Sequence, residues 1–118
     1  MVSEFPRRRK TSEYSLNAVH RLAANGKVAY GSNDVQKDID NLRFSLDDVC
    51  NCLQSLSVED YKQSVNYDDH KGWLDVYLCK WSLSKNSSAN TEKLYIKLKL
   101  NRDCITIVLA SFHPEGAL

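Results

Sequence analysis

Between Trp73 and Phe112 the chain alternates between apolar and polar positions. In "KLYIKLKLN", Leu94, Ile96, Leu98 and Leu100 fall on one side and Lys93, Tyr95, Lys97 and Lys99 on the other, the period-2 pattern of a strand with one buried face. Trp73, Asp75, Tyr77, Cys79 and Trp81 alternate in the same way with Leu74, Val76, Leu78 and Lys80, and "CITIVLASF" reads as a further strand ended by Pro114. Earlier in the chain the period is helical. Leu16, Val19, Leu22 and Ala23 form a stripe between an N-cap at Thr11 or Ser12 and a stop at Asn25-Gly26. Val35, Ile39 and Leu42 follow Ser32 as a cap, and Val49, Cys50, Leu53 and Leu56 follow Ser45, with Asp48 placed for a capping box. Ser57 and Asp60 repeat that device and predict a short fourth helix over "SVEDYKQSV". "KVAYGS" suggests a short strand and "SLSKNSSANTE" a loop, while "MVSEFPRRRK" has no periodicity and reads as a mobile basic arm. The organisation expected is an arm over residues 1–10 and a single domain over 11–118. Helices first and strands after them define an α+β fold, an antiparallel sheet with the N-terminal helices packed on one face.

The last hairpin sets a register. With Arg102-Asp103 as a two-residue turn, Leu100 pairs with Ile105, Leu98 with Ile107 and Ile96 with Leu109, all on the core face. Tyr95, Lys97 and Lys99 then lie beside Ala110, Val108 and Thr106. His113 has the parity of Ile107 and Leu109, so it reaches the face of Tyr95 only if the strand bulges near Ala110 to Ser111 or bends at Pro114.

Composition narrows the class. At 118 residues, 42% hydrophobic and 26% charged, the chain is the size and character of one globular domain. No apolar run approaches the roughly 20 residues needed to cross a bilayer. The run Arg7 to Lys10 leads into a charged, amphipathic stretch rather than a signal peptide, so a cytoplasmic protein with no membrane partner is expected. The four cysteines read as buried thiols, and Cys50-Asn-Cys52 is spaced too closely for a zinc knuckle. The net charge of +1 conceals basic ends, +4 over residues 1–31 and +3 over 70–118, around a middle of −6. That distribution suits an anionic ligand, and equally a solvated acidic helix face between basic ends.

The polar face of "KLYIKLKLN" sets three ammonium groups around one aromatic ring, which suits a phosphate backbone with a stacked base. It also suits a solvent-facing strand whose lysines prevent edge pairing. Phosphate-binding glycine loops, G-x-S-x-G and H-E-x-x-H are absent from the chain, and no cofactor or metal is expected. The remaining histidines, lysines and tyrosines suffice for metal-free RNA cleavage, which needs an acid, a base and cations near the phosphoryl oxygens. Of the histidines, His113 ends the last strand where a side chain reaches a cleft, and an exposed terminal histidine fits it as well. His70 reads as a turn residue and His20 as a structural one.

"LSVEDYKQSVNYDDHKGWLDVY", then "LYIKLKL" and "SFHP", resemble the MqsR family of type II toxins, with order and spacing matching over roughly residues 11–113. The most specific match is Asp69-His70-x-x-Trp73-x-Asp75-Val76-Tyr77. The resemblance implies a RelE-like α+β fold, cleavage of messenger RNA and a cognate antitoxin. It places the family's active-site tyrosine on Tyr95 and its C-terminal cationic position on His113. The family's helix lysine falls on Lys62, or on Gln63 if a one-residue gap lies between Ser64 and Asp69. The glutamine that follows the family's tryptophan is here Leu74, a departure.

The reading expected is therefore a toxin that cuts single-stranded messenger RNA at a short sequence without metal. Lys62, Tyr95 and His113 would act on the phosphate, and Lys93, Lys97, Lys99 and Gln63 would hold RNA. A non-catalytic RNA-binding or antitoxin-binding relative is the alternative, and a protein-interaction module built around Trp73, Tyr77 and Trp81 is a third.

Overall fold

A computed structural model describes residues 6–68, 72–82 and 91–116. Asp69 and His70 lie outside the described residues, as does most of the expected loop after Ser82 and the first five residues of the arm. The side chain of Trp81 is also outside them.

The elements in chain order are β1 (Arg7–Arg9), α1 (Leu16–Ala24), β2 (Val28–Tyr30), α2 (Asn33–Asn41), α3 (Leu46–Gln54), a single 3-10 turn at Val58–Asp60, β3 (Tyr61–Asn66), β4 (Trp73–Ser82), β5 (Thr91–Leu100) and β6 (Ile107–Pro114). The strands make one six-stranded sheet in the order β1-β3-β4-β5-β6-β2. The fold is α+β, as the change of period requires. Four neighbouring pairs are antiparallel and the β2–β6 pair is parallel, a departure from the uniformly antiparallel sheet expected.

Each helix forms where its cap and stripe coincide. Ser32 Oγ accepts the Val35 N–H, and Ser45 and Asp48 exchange side-chain and backbone bonds in a full capping box. The cap of α1 is Ser15 rather than Thr11 or Ser12, because residues 11–14 are held to the sheet instead. Val19, Leu22 and Ala23 of α1, Val35 and Ile39 of α2, and Val49, Cys50, Cys52 and Leu53 of α3 meet Tyr77, Cys79, Leu94, Ile96, Leu98, Leu100, Ile107, Leu109 and Phe112 in one core. Burying each of the larger side chains contributes about 1.5–3 kcal/mol.

Several expectations change. The fourth helix is one 3-10 turn: the Asp60 carboxylate accepts the Ser57 N–H at 2.9 Å, and the chain then leaves as β3, pairing along β4. Lys62 is therefore a strand residue. The final turn is wider than two residues, and Leu100 pairs with Ile107 rather than Ile105. Arg102-Asp103 lacks the glycine that most readily takes the positive φ values of a tight hairpin. Asn101 closes a longer loop instead, its Oδ1 accepting the N–H groups of Ile105 and Thr106 while Cys104 takes a φ of 56°. The shift of two residues preserves parity, so Ile107 and Leu109 still face the core, but Ile105 is 58% exposed and Cys104 is an exposed thiol. Within the expected arm, Arg7–Arg9 pair with Ser64–Asn66, and the Arg9 guanidinium lies 4.1 Å from the centre of the Trp73 ring.

Asp75 ties these parts together. Wholly buried, its carboxylate accepts the N–H groups of Glu13 (3.0 and 3.1 Å) and Tyr14 (3.0 Å) and the Ser64 hydroxyl (2.5 Å). The Tyr14 hydroxyl donates to Trp73 O at 2.7 Å, and Ser64 Oγ meets the Tyr61 hydroxyl at 2.7 Å. Replacing Asp75 by Ala removes the shared acceptor of the Glu13 and Tyr14 N–H groups and the Ser64 hydroxyl, and a loss of about 3 kcal/mol is expected from urea unfolding, with Asp75→Asn losing less. A loss under about 1 kcal/mol would mean that water takes over those donors.

Burial, helped by the charges of Glu13 and Asp75, pushes the Tyr14 phenol up to about 12, and burial with the Asp75 charge does the same for Tyr77. The unfolded chain releases both protons near pH 10, whereas the folded chain holds them to about pH 12. Their contribution to stability is thus complete below pH 10 and lost as the pH rises through the folded values. In an ultraviolet phenolate titration, Tyr14→Phe and Tyr77→Phe are each expected to remove absorbance from the last-ionising part of the curve.

Candidate functional site on the open face of the sheet

The helices occupy one face of the sheet, and strand alternation assigns every second residue to the other. Cross-strand pairing orders that open face into rows. Lys80 stands opposite Lys93, Leu78 opposite Tyr95 and Val76 opposite Lys97. On the far side of β5, Tyr95 stands opposite His113, Lys97 opposite Ser111 and Lys99 opposite Val108. Gln63 reaches the same face from β3, opposite Val76.

The Tyr95 and His113 row exists because β6 is irregular. Leu98 pairs with Leu109 but Lys97 pairs with Ser111, which leaves Ala110 as one extra residue. This is the bulge expected near Ala110 to Ser111. Before it, Ile107 and Leu109 face the core; after it, Phe112 faces the core and His113 faces out. The imidazole then stacks on the Tyr95 ring, with centroids 5.3 Å apart and planes 15° from parallel. Its Nδ1 lies 2.9 Å from the Pro114 carbonyl oxygen, which can only accept, so Nδ1 carries the proton. That tautomer leaves Nε2 with a lone pair when the ring is neutral, and with a second proton to give when it is charged.

Lys97 stands next to this pair. Its ammonium donates to the Tyr67 hydroxyl at 2.8 Å and lies 4.7 Å from the centre of the Tyr67 ring and 5.7 Å from that of Tyr95. Two aromatic rings thereby restrict a side chain that is otherwise costly to order. A cleft of about 480 Å³ opens beside it, lined by Gly31, Ser32, Tyr67, Leu74, Lys97, Lys99, Val108 and Ala110. Gly31 is required there: its N–H donates to Leu109 O at 2.8 Å, and a Cβ would sit 2.7 Å from that oxygen.

The structure therefore brings Tyr95, His113, Lys97 and Lys99 onto one surface. Lys62 lies apart, lining a second cleft of about 350 Å³ with Lys80, Lys93, Glu59 and Asp60. Lys93 connects the two regions, since it shares the face and strand of Tyr95. His20 is structural, its Nε2 lying 2.7 Å from Leu56 O. Of the surface suggested around Trp73, Tyr77 and Trp81, Tyr77 is 2% exposed and belongs to the core, and the Arg9 guanidinium lies over the Trp73 ring, while the Trp81 side chain is outside the described residues. Tyr67 was not anticipated. Reading "SVEDYKQSV" as a helix concealed the strand that delivers it to the open face. Among the described residues no cluster of His, Cys, Asp and Glu is arranged to hold a metal ion, and no helix is long and apolar enough to cross a membrane.

An α+β domain with one helix-packed face and one face of lysines, tyrosines and a histidine is the class that these features define. Residues 11–114 match the model of the family described as "Motility quorum-sensing regulator, toxin of MqsA", and the chain belongs to that family. It is accordingly a toxin of a toxin–antitoxin system. No curated protein matches the chain.

The stacked pair has a direct signature. Ring current from Tyr95 should displace the imidazole proton resonances of His113 upfield, and Tyr95→Leu should return them downfield. Unchanged positions in the variant would mean that the rings do not stack in solution.

Proposed function

We propose that this toxin is an endoribonuclease that cuts single-stranded messenger RNA at a short sequence without a metal ion, and that a cognate antitoxin neutralises it. The observation that carries the reading is the stacked Tyr95–His113 pair, placed by the Ala110 bulge on a sheet face that also bears Lys97 and Lys99. In such a reaction the 2′-oxygen attacks the adjacent phosphorus and the bond from phosphorus to the 5′-oxygen breaks. A 2′,3′-cyclic phosphate and a 5′-hydroxyl result. Neutral His113 takes the 2′-hydroxyl proton at Nε2, the Tyr95 hydroxyl hydrogen-bonds the scissile phosphate, and Lys97 offsets the charge growing on its oxygens. The leaving oxygen takes its proton from water. Lys62, Lys93 and Gln63 contact the strand beyond the reacting phosphate, since Lys62 lines the separate cleft.

The cytoplasm, where messenger RNA and an antitoxin meet, is the compartment this reading requires. The test is cleavage of single-stranded RNA in EDTA. Products bearing cyclic phosphate are expected, and His113→Ala and Tyr95→Phe should each lower the rate by at least about tenfold. Intact RNA alongside measurable binding would favour the non-catalytic reading instead. Lys62→Ala is expected to weaken RNA binding more than it slows cleavage of bound RNA.

A further inference from the structure

The cleft beside Lys97 has a composition that the phosphate chemistry does not use. Leu74, Val108 and Ala110 give it an apolar floor, Tyr67 forms an aromatic wall, and Lys97 and Lys99 supply two cations at its margin. Ser32 adds a hydroxyl, which accepts from the Val35 N–H and retains its own proton to donate. A purely phosphate-binding surface has no need of an apolar floor. A groove for an apolar peptide has no need of paired cations aligned on one strand.

We infer that this cleft is a nucleobase subsite, which seats the base of the nucleotide next to the scissile phosphate while Lys97 and Lys99 hold that nucleotide's phosphate. The inference rests on the ribonuclease reading for its place in the reaction, and on the cleft alone for its ligand. Four observations fit one occupant. The volume, about 480 Å³, falls in the range of small-ligand sites. The charge is complementary to a phosphodiester. Lys97 borders both the cleft and the Tyr95 ring, so a nucleotide seated in the cleft is continuous with a phosphate at Tyr95 and His113. Tyr67, half exposed at 45%, presents a ring against which a base can pack. Leu74 then determines which bases are accepted, because an apolar side chain offers no hydrogen bond to a base edge and selects by shape.

The test uses the full-length toxin with the four nucleoside 5′-monophosphates, and ribose 5-phosphate as the control lacking a base. Binding is followed by the methyl resonances of Leu74 and Val108. At least one mononucleotide is expected to bind about tenfold or more tightly than ribose 5-phosphate and to move both sets of methyls. Tyr67→Phe should keep that preference and Tyr67→Ala should lose it, whereas a tyrosine serving only as a hydrogen-bond partner of Lys97 would make the two variants alike. Leu74→Glu should abolish the preference, with Leu74→Ala reducing it if the charged variant does not fold. Equal binding of ribose 5-phosphate, or methyls that stay in place, overturns the subsite. RNA cleavage with unmoved methyls would sink the subsite alone, and moved methyls without cleavage would sink the ribonuclease reading alone.

Discussion

A strand residue faces one side of its sheet or the other, and in this protein three helices claim one side. Every group available for chemistry must therefore come from the alternate set of positions, and each core residue from its complement. β5 satisfies both demands without adjustment, since Leu94, Ile96, Leu98 and Leu100 are buried and Lys93, Tyr95, Lys97 and Lys99 stand opposite them. β6 cannot satisfy them by simple alternation. Ile107, Leu109 and Phe112 are all core residues, and the step from Leu109 to Phe112 is odd. One extra residue, Ala110, reconciles the parity, and its consequence is that His113 emerges beside Tyr95. The same irregularity that lets Phe112 enter the core thus delivers the imidazole. Core packing and site geometry share one cause.

The other half of the sheet is secured differently. Asp75 is a charge buried among backbone and hydroxyl donors, an arrangement stable only when each partner is in place. Its partners come from the segment before α1 and from β3, so the carboxylate joins chain segments more than sixty residues apart to those next door. This bond set fixes where β3 lies against β4. The position of Tyr67, one residue beyond the end of β3, depends on it, and so does the aromatic wall against which Lys97 rests. Val65 and Val76 are buried on the open side of the same strands, outside the helix-packed core, and form a second small apolar layer beneath the polar groups.

How far the sequence foretold this depends on which physical signal each element carries. Strict alternation in β4 and β5, and the Ser32 and Ser45 caps, were legible because local pattern and tertiary role agree. The bulge was legible for a subtler reason: the resemblance put His113 with Tyr95, whereas parity counted from Ile107 put it on the core face, and one extra residue reconciles the two. β3 was misread because Ser57 and Asp60 make a convincing helix start, and nothing local announces that strand pairing with β4 wins after a single turn. The parallel pairing of β2 was invisible for the same kind of reason, since a three-residue strand carries no period and Gly31 acquires its meaning only against Leu109 O. Tyr95, Lys97, Lys99 and His113 were expected on one face and share it; Lys62 was placed on the wrong element, and Tyr67 was missed with it.

Leu74 marks where the open face departs from the pattern of the toxins that it resembles. A glutamine at that position would bring a donor and an acceptor to the cleft, and a leucine brings neither. An amide is nevertheless close by. Val65 stands opposite Leu74 and Gln63 opposite Val76, so Gln63 is the diagonal neighbour of Leu74 across the β3–β4 pair. Diagonal neighbours lie roughly 7–8 Å apart at their backbones, within reach of a long side chain. On the ribonuclease reading, residues 74 and 63 would divide between two strands what one glutamine would do alone: an apolar contact on β4 and an amide on β3. Because Ser64, the neighbour of Gln63, is bound to Asp75, the placement of that amide beside Leu74 is tied to a carboxylate buried on the other face of the sheet. On the ribonuclease reading, substitutions that loosen Asp75 would therefore disturb RNA selection before they disturb the Tyr95–His113 pair, whose geometry is set by β5 and β6 alone.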